Sequence, residues 1–375
     1  MSSNSQSVRI ATFNVSMDAT NYTKKGQAPS GNELQSNLSN GAHEQIKNIS
    51  EIIQRLNPDI ILLNEFDYSK QSAHDVQNFI MHYLNVSQNN QNTIDYPYSY
   101  TAPVNTGIDS GLDLDKDGIV SGTKGDAFGF GLFPGHYGML VLSKYPIQFE
   151  KVRTFQYFLW KDMPDNLLAT IKDKSDTPYY SQQAQQILRL SSKSHWDVPI
   201  TIDNQTIHLL ASHPTPPVFD GPENRNGKRN HDEIRFWTDY LLSNEQSDYI
   251  YDDKGKLGGF KGEHFVIAGD LNASPDEGDG LNSGIKALLE HPLVNDVIIP
   301  KSEGGKVHTS DSQYSAQHTA EWGMRADYVL PSTSVEVKAS GVFWPKTGDP
   351  SFRLIKDRKS SSDHRLVWVD ILLPQ

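Results

Sequence analysis

Residues 264–275 read HFVIAGDLNASP: the apolar run 265–268 passes through Gly269 into Asp270, Leu271 and Asn272, and Pro275 closes the stretch. A strand's side chains repeat with period 2, so Asp270 and Asn272 share one face where the strand runs out. That is where open α/β sheets gather their ligands. A polar strand end closed by an Asx turn would look the same, so the remainder of the chain has to decide between the two.

Outward from this stretch, the periodicity predicts strands at 8–15, 59–64, 137–147, 149–155, 196–202, 206–212, 326–330, 335–343 and 365–373. Helical spacing recurs at 42–56, with apolar residues at 46, 49, 52, 53 and 56 and an Asn57-Pro58 stop, and again at 72–84, 230–243 and 282–290. For the 230–243 helix, Asn230 is the expected N-cap, with acids in the first turn. Residues 86–136 are Asn- and Gly-rich and read as an elaborated loop, and 160–185 as an irregular insertion. No repeat or linker divides the chain, so we expect residues 1–7 to be disordered and 8–375 to form one α/β (α+β) sandwich domain.

The chain has 375 residues, and 34 Lys+Arg against 46 Asp+Glu give −12 at pH 7, which disfavours a partner held by a basic surface. A polyanion met through bound cations stays open. There is no cysteine, which removes disulfides, thiolate metal sites and Cys nucleophiles. No stretch reaches the ~18 apolar residues of a membrane span. The polar start MSSNSQSVRI lacks the apolar core of a leader. We expect an extracellular or periplasmic protein if a leader once preceded Met1, a cytoplasmic one otherwise, and a monomer.

The observation at 270–272 recurs. Asn14 and Glu65 end the first two expected strands, His213 follows HLLAS, Asp327 opens DYVL, and Asp363-His364 precede RLVWVDI. One such residue is ordinary, but six sites of this kind suggest a polar cleft across one end of a sheet. Glu65 and Asp363 are hard oxygen ligands suited to Mg²⁺, Mn²⁺ or Ca²⁺. The histidines and Asn amides can donate to phosphate oxygens, and Asp270 can orient or deprotonate a water. No G-x-S-x-G nucleophile signature competes.

In order, TFNV, DIILLNEFD, YGMLVLSKYPI, ASHPTPP, GDLNASP, RADYVL and SSDHRLV make the chain resemble the endonuclease/exonuclease/phosphatase superfamily with the DNase I-like fold, from about residue 8 to 373. The stretches FGFGLFPGHYGMLVLS and FDGPENRNGKRNHDEIRFW resemble a bacterial, often secreted subgroup. The resemblance implies a four-layer sandwich of two mixed sheets packed face to face and flanked by helices. It also implies Glu65 as principal metal ligand with Asn14 and Asp363 close by, and Asp270 positioning the attacking water. Asn272 would bind the scissile phosphate, as would His364, oriented by Asp327. His213 would stabilise developing charge or assist the leaving oxygen, and Tyr137 would contact phosphate. The family often has an acid where this chain has Ser16, which weakens the case for a second metal there.

Asp113, Asp115, Asp117 and Gly118 have the spacing of a calcium loop, but the twelfth position is Lys124 rather than Glu. Asp126 or Asp109 is a candidate to complete such a site. Arg225, Lys228, Arg229 and His231 read equally as a solvated basic turn or as a substrate-phosphate clamp at a helix start. His136 is open in the same way, and Trp322 and Trp344 are expected in the core, with lining of the cleft as the alternative. The leading expectation is a metal-dependent phosphohydrolase of small organophosphates. The alternatives are a non-specific secreted nuclease and a calcium-dependent binding protein on a catalytically silent fold.

Overall fold

The apolar alternation at 264–270 has a direct physical outcome: its odd and even side chains enter two different cores. Val266 and Ala268 join Leu209, Ala211 and Val329 between two sheets, while Phe265 and Ile267 join Leu210, Tyr328 and Leu330 beneath helices. The computed structural model describes residues 7–242 and 244–374, so the segment expected to be disordered lies, Ser7 apart, outside the described residues.

The strands are β1 (Val8–Met17), β2 (Ile60–Phe66), β3 (Tyr98–Tyr100), β4 (Met139–Ser143), β5 (Arg153–Thr154), β6 (His195–Ile202), β7 (Gln205–Ser212), β8 (His264–Asp270), β9 (Asp327–Pro331), β10 (Glu336–Val342) and β11 (Val367–Leu372). The helices are α1 (Ala19–Tyr22), α2 (Glu33–Leu38), α3 (Glu44–Leu56), α4 (Ser72–Phe79), α5 (Gln182–Ile187), α6 (Arg225–Tyr240), α7 (Asn282–Leu289) and α8 (Glu303–His308). One sheet runs β10-β11-β1-β2-β4-β3 and the other β5-β6-β7-β8-β9. Helices α3 and α4 bury Ile46, Ile49, Ile53, Val76 and Phe79 against the first sheet, and α6 and α7 bury Ile234, Phe236, Trp237, Ile285 and Leu288 against the second. The expected two-sheet α/β sandwich, of the DNase I-like kind, is the fold.

Each sheet has a parallel pair at its centre, β1 with β2 and β7 with β8, flanked by antiparallel neighbours. An antiparallel neighbour starts where the parallel strands end. The ends of β1, β2, β7 and β8 and the starts of β4, β6, β9 and β11 therefore meet at one edge of the sandwich. This is why residues read as strand-ending and strand-opening belong to one edge.

Several local expectations change. The 149–155 strand is a 3₁₀ turn at Phe149–Lys151 followed by the two residues of β5. Helix α6 starts five residues early: Asn224, at φ 51°, is its N-cap. Asn230 lies inside it, buried, donating from Nδ2 to the carbonyls of Thr215 and Leu271 at 2.9 Å. Asp232 and Glu233 are thus interior rather than first-turn acids. The 86–136 loop carries β3 and a 3₁₀ turn at Lys124–Asp126, and the 160–185 insertion ends in α5. Among the described residues, no helix is long and apolar enough to cross a membrane.

Candidate active site

Gly269 sets the geometry at the end of β8. Its φ is +149°, and a Cβ there would sit 2.0 Å from the Ser212 carbonyl oxygen, so only glycine lets β7 and β8 end this close together. Asp270, inward-facing like Val266 and Ala268, then reaches across to the other sheet. Its Oδ2 accepts from Asn14 Nδ2 at 3.0 Å and lies 3.4 Å from His213 Nε2 and 3.5 Å from His364 Nε2, while Oδ1 accepts the Asn272 N–H at 3.0 Å. Asn64 ties the sheets from below, accepting the Asp270 N–H at 3.0 Å. A buried carboxylate persists only with donors of this number. Burial works to raise the Asp270 carboxyl, but His364, His213 and Asn14 overcome it and hold the group below the usual carboxylate range.

His364 is the cation of the site. Its Nδ1 donates to Asp327 Oδ2 at 2.9 Å, and the same oxygen takes the Thr319 hydroxyl at 2.7 Å. Burial opposes the imidazolium, yet Asp327 and Asp270 outweigh it and push the ring up to about 10. His213 behaves oppositely, because burial and the nearby Lys193 charge push it down to about 4. Two histidines on one carboxylate are thus divided at neutral pH into an imidazolium and a neutral imidazole.

Glu65 stands at the end of β2, pushed up to about 7 by burial and by Asp18 and Asp363 against the pull of His364. Asp67 is likewise raised by burial and by Asp18. Asn14 lies against Glu65 as well as Asp270. Asp363 accepts the Ser16 hydroxyl at 3.2 Å and meets the Arg358 guanidinium at 3.3 Å. The N–H of Tyr137 donates to Asp67 at 2.8 Å and its ring stacks on His136 at 3.6 Å. Asn272 donates from Nδ2 to the Pro214 carbonyl at 3.1 Å. Ser16, Glu65, Tyr137 and Asn272 all have positive φ, between 48° and 58°. For Glu65 and Tyr137 this conformation costs on the order of 1 kcal/mol or more, the kind of strain that gathers at functional sites.

The structure thus brings Asn14, Glu65, Tyr137, His213, Asp270, Asn272, Asp327, Asp363 and His364 to one edge. It treats the other candidates differently. Arg229 donates to the carbonyls of Phe128, Arg189 and Leu190 and so braces a loop; Arg225 pairs with Glu223, and His231 Nδ1 lies 3.0 Å from its neighbour Asp232. With these groups committed and the helix starting at Arg225, the clamp loses its geometric basis. His136 is sealed between Phe133 and Tyr137, with Nε2 3.2 Å from Asp18. Trp344 is buried as expected, but Trp322 is 52% exposed and stands edge-on to His364 at 4.9 Å.

In the acidic loop, carboxylate oxygens of Asp113, Asp115 and Asp117 lie within 4.8 Å of one another. Asp126 is not one of the three, and its oxygens accept from Leu114 and Ser121.

Sequence reasoning missed Asp18, Asn64, Thr319 and Lys193. Asn64 was legible as the residue before Glu65. The other three sit outside regular alternation and carry no motif.

No curated protein matches the chain significantly. Among solved structures, an endonuclease/exonuclease/phosphatase from Beutenbergia cavernae is similar over 98% of this chain and 72% of its own, at 16% identity and TM-score 0.53. Beta toxin of Staphylococcus aureus, with bound magnesium ions, covers 98% of this chain and 100% of its own at 15% identity and TM-score 0.46. The human Nocturnin catalytic domain covers 98% and 95% at 13% and 0.47. The family model described as "Endonuclease/Exonuclease/phosphatase family" matches residues 11–364. With that match spanning nearly every strand that feeds the edge, the chain belongs to the endonuclease/exonuclease/phosphatase family.

Proposed function

We propose that the chain is a divalent-metal-dependent phosphoesterase that activates water against a phosphodiester or phosphomonoester of a small molecule. The observation that carries this reading is the Asp327–His364–Asp270 chain set beside Glu65 and Asn14. An imidazolium held between two carboxylates is suited to a phosphate oxygen, and it stands at the same edge as a raised carboxylate suited to a cation.

The donor chemistry fits a hard ion. Glu65 is raised by burial and by the crowding of Asp18 and Asp363, and a divalent cation relieves that repulsion. Glu65, Asn14 and Asp363 would hold Mg²⁺ or Mn²⁺, with Ca²⁺ as an alternative. The ion supplies Lewis-acid stabilisation of phosphoryl charge when bound.

The protein groups divide the remaining work. Asp270 is too weak a base to keep a proton at neutral pH, so it accepts a hydrogen bond from the attacking water and aims it. Imidazolium His364 and the Asn272 amide donate to the non-bridging oxygens, where charge grows. Neutral His213 and the Tyr137 hydroxyl complete the polar wall. A structural cation, calcium by the ligand spacing, belongs to the same reading at Asp113, Asp115 and Asp117.

The test offers bis-p-nitrophenyl phosphate, p-nitrophenyl phosphate, plasmid DNA and a phospholipid head-group ester with Mg²⁺, Mn²⁺ or Ca²⁺. Hydrolysis of a small ester, abolished by chelator, is the expected result. Cleavage of plasmid alone would make the chain a nuclease. A folded protein inert on all four would overturn the catalytic reading in favour of a binding protein.

A further inference from the structure

The eight strand termini at the active edge supply one polar group each, or a pair, and seven of them are used above. The eighth is the start of β6. Two residues before it stands Lys193, in the place that Tyr137 holds before β4 in the other sheet. The β6–β7 register pairs His195 with Ser212, so its continuation sets Lys193 opposite Pro214, whose carbonyl accepts the Asn272 amide.

Lys193 is only 5% exposed, yet its ammonium makes no hydrogen bond or ion pair with the described residues. Glu233 is the partner whose charge acts on it most, but its two oxygens already accept the N–H groups of Ser192 and Thr215, each at 2.6 Å. Those two bonds fasten the β6 entrance to the β7 exit. The Lys193 carbonyl is fastened as well, accepting from the Asn105 N–H at 2.9 Å. Burial pulls the Lys193 ammonium down from the usual lysine range against the pull of Glu233, Glu65 and Asp270, and its charge is felt by His213, so it lies among the groups of the site. A largely buried lysine whose ammonium has no protein partner loses hydration without recovering a counter-charge. Such a group persists where a ligand anion completes it.

We propose that Lys193 is a catalytic residue whose ammonium contacts a non-bridging oxygen of the bound phosphate and favours a dianionic phosphomonoester over a monoanionic diester. The inference rests on the phosphoesterase reading and deepens it. A fixed cation in a water-poor site acts more strongly on the more highly charged ester.

The test compares wild type with Lys193→Met and Lys193→Gln at saturating Mg²⁺. Three quantities are read: kcat/KM on p-nitrophenyl phosphate and on its bis ester, binding of inorganic phosphate by calorimetry, and the melting curve. The expected loss is about 10²-fold on the monoester and about 10-fold or less on the diester. Phosphate binding should weaken about 10-fold or more, with a melting temperature equal to or above that of wild type. Equal losses on both esters, unchanged phosphate affinity, or failure of both variants to fold would each overturn the inference and make Lys193 a counter-ion of Glu233. If wild type neither binds phosphate nor hydrolyses any ester, the phosphoesterase reading falls and the Lys193 role with it. An active wild type with unaffected variants sinks only Lys193.

Discussion

Two regions of this molecule bring acidic side chains together, Asp270 with Asp327 in one and Asp113 with Asp115 and Asp117 in the other, and they differ in what surrounds them. Around Asp270, partners arrive from both sheets: Asn14, Asn64, His213 and His364 all touch it or its backbone. Around Asp113, Asp115 and Asp117, the partners are mostly the backbone of the same loop, such as the N–H groups of Gly118, Asp117 and Ile119. The first set is held by packing whether or not a ligand is present. In the second, burial and the crowding of Asp126, Asp117 and Asp113 raise the Asp115 carboxyl against the Asp117 N–H, and no cation among the described residues contributes to offset them. Carboxylate spacing alone therefore does not separate a rigid chemical site from a loop that needs an ion; the origin of the partners does.

The largest effect should come from Glu65→Gln. The amide keeps the shape at β2's end but loses the anionic ligand. Turnover should fall about 10³-fold, the equivalent of several kcal/mol of charge stabilisation, with the melting curve little changed. Unchanged turnover at both limiting and saturating metal would remove Glu65 from the ligand set and narrow the contrast with the acidic loop.

Next in size is the Asp327–His364 pair. Single changes Asp327→Asn and His364→Ala should each lower kcat/KM by roughly 10²- to 10³-fold, and the double variant should be little worse than His364→Ala. Multiplicative losses would break the unit and leave Asp327 as a strand cap. Stability offers an independent reading. The folded pKa of His364 is raised from 6.5 to about 10, so its contribution is complete below pH 6.5 and is lost as pH rises through about 10. His364→Gln should flatten the fall in melting temperature across that window, and an unaltered slope would count against the ion pair.

The smallest effect belongs to the loop. Replacing Asp115 and Asp117 together by Asn should lower the melting temperature by about 2–5 °C in calcium and by much less in chelator, since an ion that binds only the folded state stabilises it by mass action. Equal shifts in both conditions would return the loop to a solvated turn.

Much of the active edge was legible before the structure, because it is made of strand ends. Apolar runs are visible by period, and Asn14, Glu65, His213, Asp270, Asp327 and His364 each adjoin one. The fold followed for the same reason: alternating runs of this length leave few arrangements other than two sheets with helices outside. What escaped was set by contacts at long sequence separation. Asn230 has the composition of an N-cap, yet its amide bridges Thr215 and Leu271, and α6 starts earlier at Asn224. Arg229 looks like a free cation until three loop carbonyls surround it. Trp322 reads as core by hydrophobicity, but the turn before β9 leaves it in solvent beside His364.

By itself, the sequence determined which residue types stand beside apolar runs, and through them the two sheets and the side chains at their ends. Periodicity is a property of neighbours along the chain, so it survives in a string of letters. The tertiary structure alone decided how charge is distributed among those side chains. His213 and His364 are the same residue against the same carboxylate. Burial beside Lys193 leaves one neutral, and a second carboxylate, Asp327, keeps the other protonated. That difference depends on which groups from distant segments lie within a few ångströms in a low-dielectric interior, and packing settles it.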